Sequence, residues 1–200
     1  MNSQLIDIVA VQIGANGLPY SIPIHPNLVH LTLGLFILGI LFDIAGVIFP
    51  IPKLAMKFLE IDSTRSNFFS VGWYNMVACA IISCFTVAAG FYEIMLANPD
   101  QSLTSAWGLK PMETMLWHGV GGVFLLGLIF GMTVWRGFQR FIWRKDEDRQ
   151  VQWIYLLAGM TIMFVLYLHG TLGAQMAAEF GIHNTADHLL RIGENPNLLN

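Results

Sequence analysis

Four long apolar segments constrain this chain more than any other feature of its sequence. They run over residues 27–49, 68–96, 112–135 and 153–177. A bilayer core about 30 Å thick requires roughly 20 apolar residues in helical conformation, and each segment reaches that length. The connections between the segments are short, so consecutive helices are expected to pack side by side in opposite directions. The sequence therefore predicts an all-α integral membrane protein with an antiparallel four-helix transmembrane bundle.

The four segments divide the chain into three parts. We expect residues 1–24 to form an N-terminal segment, residues 25–177 the transmembrane domain, and residues 178–200 a polar C-terminal tail. Pro26 precedes the first segment, as is common in the first turn of a helix. The first 24 residues lack a basic stretch followed by a long apolar core, so no cleavable signal peptide is predicted.

The composition agrees with a membrane protein and excludes other classes. Hydrophobic residues make up 55% of the chain and charged residues only 12%, whereas soluble domains carry about 25% charged residues. The formal net charge is −3, which argues against a nucleic-acid partner. Cys79 and Cys84 lie in one apolar segment and point about 140° apart on a helix, so they cannot form a disulfide bond with each other.

The distribution of basic residues predicts the orientation of the helices. Of the ten Lys and Arg residues, eight lie in the two connections that follow the first and third segments, and two lie on the other side. Basic residues concentrate on the cytoplasmic side of membrane proteins. Both termini are therefore expected outside the cytoplasm, in the periplasm or lumen of a bacterial inner or thylakoid membrane. The eight residues are Lys53, Lys57, Arg65, Arg136, Arg140, Arg144, Lys145 and Arg149, against Lys110 and Arg191.

Three histidines in three different segments are expected to reach the same depth in the membrane. His30 lies just after the start of the first segment, His118 just after the start of the third, and His169 before the end of the fourth. At 1.5 Å per residue these positions are roughly 6–12 Å from one face, the non-cytoplasmic one. Ionisable groups in lipid are costly and mark functional sites. The three histidines are thus candidate metal ligands, and the alternative is that each only bonds to a neighbouring helix.

Each of these histidines has a glycine four residues further on, namely Gly34, Gly122 and Gly173. Positions i and i+4 share one face of a helix, so each glycine leaves a recess beside an imidazole. A planar macrocycle needs such a recess to approach a helix, and the glycines are therefore candidate cofactor-binding residues. Close packing of helices is the alternative, because small residues also serve that purpose in membranes.

Three further ionisable residues have secondary roles in this interpretation, and two of them, His25 and Glu93, are candidate cofactor-binding residues. His25 precedes proline, which disfavours helix, and we place it in an extended segment at the mouth of the site. Glu93, near the end of the second segment, is expected at a similar depth and could orient an imidazole. Asp43 is expected to pair with a basic residue of the first connection, such as Lys53 or Arg65.

Four stretches around these histidines follow a recognisable pattern. They are Pro23-Ile24-His25-Pro26-Asn27-Leu28-Val29-His30, Leu41-Phe42-Asp43-Ile44-Ala45-Gly46, Trp117-His118-Gly119 and Leu166-Tyr167-Leu168-His169-Gly170. This pattern resembles the bacterial membrane family called domain of unknown function family 2231, over roughly residues 22–175. Family members usually continue with Phe-Pro where this chain has Leu31-Thr32. The resemblance implies a four-span fold and motif histidines that the family shares. Family members are suspected of binding haem or of lying near redox proteins, but the resemblance implies no established activity.

These patterns leave several functions open. The leading hypothesis is a b-type haem held by two of the three candidate histidines, in a protein that transfers electrons or senses redox state near the non-cytoplasmic face. No C-x-x-C-H motif is present, so covalent attachment of haem is not expected. The alternative is a small accessory subunit of a larger membrane complex, for example a photosynthetic one, in which the histidines ligate chlorophyll or serve structure only. A quinone or copper site is a third possibility. We favour a non-enzymatic protein that contacts other membrane subunits or a redox partner.

Overall fold

The computed structural model describes residues 24–48, 65–97, 101–145, 149–180 and 182. All the regular structure in these ranges is helical, which confirms the predicted all-α class. The four main helices are α1 (Ile24–Ile48), α2 (Arg65–Leu96), α3 (Pro111–Phe138) and α4 (Trp153–Ala178), and α3 continues as a π-helix over Gln139–Trp143.

The helix boundaries lie close to the predicted ones, although α1 and α2 each begin three residues earlier than predicted. Helix α1 begins at Ile24, before Pro26, and the π-helical end of α3 extends the third segment to Trp143. The predicted N-terminal segment lies outside the described residues, except for Ile24. The predicted tail does too, apart from residues 178–180 and 182.

All four helices are long and apolar enough to cross a membrane, by their length and composition. Only 22–33% of the most apolar stretch of each helix is buried inside the protein, so most of their apolar side chains point outward. Leu116, Phe124, Ile154 and Phe164 are each about 60% exposed or more. Such a surface is stable only in an apolar medium, and the protein is an integral membrane protein.

The chain forms two compact units, and each of the four helices contributes to both. The first unit comprises Met1–Asn27, Val87–Val123 and Leu168–Asn200. In it, the beginnings of α1 and α3 meet the ends of α2 and α4, so consecutive helices run antiparallel, as predicted. Its apolar core is formed by Met115, Met176, Phe180 and Ile182.

The second unit comprises Leu28–Thr86 and Phe124–Tyr167 and has a larger apolar core, which includes Phe36, Ile40, Phe69 and Tyr155. Helices α1 and α2 approach closely in this unit. A methyl group on Gly72 would lie 3.0 Å from the carbonyl oxygen of Gly39. Two backbones can come this near only where neither carries a side chain.

A fully buried ion pair joins α1 to α3 in the second unit. Arg136 Nε donates to Asp43 Oδ2 at 2.9 Å, and its Nη2 donates to Oδ1 at 3.0 Å. Neither side chain has any exposed surface. The same Nη2 also donates to the carbonyl oxygen of Phe69 at 3.2 Å, and the guanidinium carbon lies 5.7 Å from the centre of the Phe69 ring.

The prediction that Asp43 pairs with Lys53 or Arg65 is therefore wrong. A planar guanidinium matches both carboxylate oxygens at once, and Arg136 approaches from a helix that is distant in sequence. Taking a carboxylate out of water is costly unless it is paired and hydrogen-bonded, and the two-point contact meets this requirement within the described helices.

Candidate functional site

Three imidazoles come together in the first unit, one from each of three helices. His118 of α3 and His169 of α4 stack face to face, with ring centres 4.2 Å apart and planes inclined by 6°. His25 of α1 stands edge-on to His118, with ring centres 5.9 Å apart and planes at 86°. His118 is only 7% exposed. We call His25, His118 and His169 the imidazole cluster.

The stacked pair is held in slots that glycines leave on the facing helix. A methyl group on Gly121 would lie 2.8 Å from Nδ1 of His169, and one on Gly173 would lie 3.1 Å from Cε1 of His118. A methyl group on Gly122 would lie 3.8 Å from Nε2 of His169, so this glycine lies next to the same slot. Gly122, four residues after His118, thus faces the imidazole of His169, and Gly173, four residues after His169, faces the imidazole of His118. Each of these two recesses is filled by the imidazole of the other helix.

The third imidazole has a slot of its own on α2. A methyl group on Gly90 would lie 2.7 Å from Cε1 of His25. One turn further along α2, Glu93 accepts a hydrogen bond from the backbone N–H of His25 at 3.1 Å and is 2% exposed. The first N–H groups of a helix have no partner within the helix, and a carboxylate there also interacts favourably with the helix dipole.

The expectation that His25 is extended was wrong. It belongs to the first turn of α1, where Pro26 needs no hydrogen-bond donor. The bond from its N–H to Glu93 stabilises this start of the helix.

A small cavity lies beside the cluster, with room for about one water molecule. Its polar lining comes from His25, His118 and Glu93, and the remaining lining residues are apolar or carry sulfur. They are Gly90, Ile94, Ala97, Met115, Met176 and Ile182. Residues that carry two imidazoles, one carboxylate and two thioethers therefore contribute to the lining of this cavity.

His30 and Gly34 do not belong to this arrangement. The side chain of His30 is exposed, and a methyl group on Gly34 would meet nothing within 4 Å. Both residues belong to the second unit, whereas the imidazole cluster lies in the first. His25 is the histidine of α1 that approaches His118.

Sequence reasoning did not single out four residues of the site: Gly90, Gly121, Met115 and Met176. A signal was present for two of them, because Met115 precedes His118 by three residues and Gly90 precedes Glu93 by three. Residues three apart share a helix face. Neither methionine carries a polar group that would distinguish it from ordinary core in the sequence alone.

Within the imidazole cluster, the described side chains fill the space that a haem or chlorophyll macrocycle would need. The cavity holds about one water molecule, and the recesses beside the imidazoles are filled by other imidazoles. The nitrogen lone pairs of an imidazole lie in the plane of its ring. The stacked rings of His118 and His169 therefore cannot ligate opposite sides of one iron. Both cofactor assignments stay predictions from the sequence.

The described residues also bear on simpler metal sites. They contain no group of three or more His, Cys, Asp and Glu side chains that could hold a metal ion. A closed zinc site of the usual kind, with four such ligands, is therefore not formed by these parts of the chain.

Four membrane-spanning helices with buried ionisable side chains define the class of this protein: it is an integral membrane protein of the helical-bundle type. The chain matches the family model of domain of unknown function 2231, described as a predicted membrane protein, over residues 21–186, and it belongs to this family. This confirms the resemblance seen around the histidine motifs. No curated protein and no solved structure matches the chain.

Proposed function

We propose that this protein binds one transition-metal ion at the cavity between His25 and His118 and uses it for electron transfer or redox sensing. His25 and His118 would hold the ion, and a redox-active ion held there would supply one-electron chemistry for exchange with a redox partner. Neutral imidazole is the commonest metal ligand among protein side chains. Ionisable residues inside membrane helices are functional sites by default.

The observation that carries the proposal is the edge-on approach of His25 to His118, both of which line the cavity. Two imidazoles that ligate the same ion through nitrogens at about 2.0–2.1 Å have ring centres roughly 5–6 Å apart. The measured separation of 5.9 Å with perpendicular planes is compatible with this. The stacked partner His169 is too close and too parallel to His118 to share the ion with it, and it supports the orientation of His118 instead.

The metal content of the purified protein tests this proposal. The protein in mild detergent is incubated with Zn(II), Co(II) and Cu(II) in air, and with Cu(I) under reductant, then desalted and analysed by mass spectrometry. We expect one redox-active ion, cobalt or copper, per chain in at least one condition, whereas binding of redox-inert Zn(II) alone would contradict the redox role. Loss of an outer-shell partner of a metal ligand costs about 10–100-fold in affinity, so His25→Ala and His118→Ala, which remove the ligands themselves, should weaken binding by at least that much.

His30→Ala is the matched control, because it removes an exposed imidazole from the same helix as His25. It should bind metal like the unmodified protein. Absence of metal in every condition would overturn the proposal, as would a loss caused by His30→Ala but not by His25→Ala. Absorption spectra recorded before and after dithionite provide a further check. If they showed haem or chlorophyll, the cofactor predicted from the sequence would replace the proposed metal ion.

A second candidate function is supported by the glycine slots. The imidazoles fill them as closely packed side chains, which is what a purely structural role in an accessory subunit requires. A metal-free protein in all conditions, together with a His118→Ala variant that is less stable than the unmodified chain, would favour this role.

We also propose that both termini, and the face near the imidazole cluster, are non-cytoplasmic in a bacterial inner or thylakoid membrane. The eight basic residues against two support this orientation. In a Gram-negative host, alkaline phosphatase fused after Asn200 should be active, and the same enzyme fused after Lys145 should be inactive. The reverse pattern would invert the proposed topology.

A further inference from the structure

We infer that the ion is copper(I), and that Met115 and Met176 ligate it together with His25 and His118. The inference rests on the proposed function, because it uses the same cavity. Both methionines line that cavity with the two imidazoles, and both are buried, with 4% and 6% of their surface exposed.

The helical positions of the two methionines direct them to the same place as His118. Met115 lies one turn before His118 on α3, and positions three apart share a face. Met176 lies three residues after Gly173 on α4, and Gly173 is the residue whose slot receives the His118 ring. One methionine from each helix therefore flanks His118 at the interface of α3 and α4 in the first unit.

Methionine also fills gaps in apolar cores, and both residues pack with Phe180 and Ile182. Gap filling accounts for their burial. It gives no reason for two thioethers to line the cavity that also holds two imidazoles and a buried carboxylate. The mixed lining is what distinguishes this cavity from ordinary core.

The donor types select the ion. Thioethers are soft ligands that favour Cu(I), and imidazole is also a good ligand for copper. Calcium and magnesium require several oxygen ligands, but Glu93 supplies the one carboxylate of the cavity lining. Zinc sites use three or four His, Cys, Asp or Glu side chains, and the described ranges hold no such group.

The charge of the site also suits a monovalent ion. Two imidazoles and two thioethers are neutral ligands, so the ion keeps its single positive charge in an apolar interior. A buried charge is costly unless an opposite charge lies nearby. Glu93, which lines the same cavity and is 2% exposed, provides one carboxylate for one positive charge.

The test is an anaerobic titration of the full-length protein in detergent with Cu(I), in competition with a coloured Cu(I) chelator. Met115→Leu/Met176→Leu keeps the apolar volume and removes both sulfur atoms. We expect this double variant to lose Cu(I) affinity by about 10–100-fold or more, because the loss of an outer-shell partner of a metal ligand alone costs that much. Met132→Leu, a buried methionine of the other core, is the control and should bind Cu(I) normally.

X-ray absorption of the unmodified Cu(I) complex gives a second measurement that does not depend on how the variants fold. Both sulfur and nitrogen should appear among the nearest neighbours of copper. A nitrogen-only shell would overturn the inference, as would full Cu(I) affinity in the folded double variant. In those cases metal binding at His25 and His118 would still stand, whereas a failure of every metal to bind would overturn the proposed function itself.

Discussion

Replacing Arg136 with leucine is expected to destabilise the protein by about 3–5 kcal/mol, because it leaves the Asp43 carboxylate buried without its partner. Both side chains are fully buried, and the guanidinium makes two hydrogen bonds to the carboxylate at 2.9 and 3.0 Å. It also bonds to the Phe69 carbonyl, which would lose that donor. The free energy of unfolding can be measured by titrating detergent-solubilised protein with a denaturing detergent and following helicity by circular dichroism.

The double variant Asp43→Leu/Arg136→Leu separates two effects: the loss of the ion pair itself, and the cost of leaving one buried charge without a partner. Apolar replacements for a buried ion pair are often neutral or stabilising, so the double variant should recover most of the lost stability. A single Arg136→Leu variant within about 0.5 kcal/mol of the unmodified protein would contradict this account, since surface substitutions have effects of that size.

The Gly121→Ala variant should be less stable than Gly127→Ala by about 1–3 kcal/mol, because extra atoms in a closely packed interface force neighbouring groups to move. A methyl group on Gly121 would lie 2.8 Å from Nδ1 of His169. The ring cannot simply turn away, because it is stacked on His118 at 4.2 Å.

Gly127 is a matched control on the same helix, where a methyl group would meet nothing within 4 Å. Alanine is a better helix former than glycine by roughly 0.5–1 kcal/mol, so Gly127→Ala should be neutral or stabilising. The same unfolding titration measures both variants. Equal stability of the two would mean that the imidazole of His169 is not held against α3.

Much of the fold follows from local sequence properties. The four spans were predicted because the length of an apolar segment is read directly along the chain. Their antiparallel order followed from short connections. The start of α1 was less predictable, because Pro26 both disfavours helix in the residue before it and is well tolerated in a first turn.

The site was only partly predictable, because a sequence gives the depth of a side chain along its helix but not the direction in which it points. His118 and His169 were placed at one depth from their positions along two helices, and the structure stacks them. The choice between His25 and His30 depends on how α1 is rotated about its axis, since the two lie about 140° apart on a helix. The structure turns His25 toward His118 and leaves His30 exposed.

The sequence by itself determined that this chain is a four-helix membrane protein with histidines near the ends of its helices, because bilayer thickness converts apolar length into spans. Only the tertiary structure decided which side chains meet. Asp43 pairs with Arg136, 93 residues away, and His25 and His118 share a cavity with Met115 and Met176. These contacts depend on the rotation and approach of separate helices, which are fixed by packing between side chains and glycine slots rather than by any local pattern.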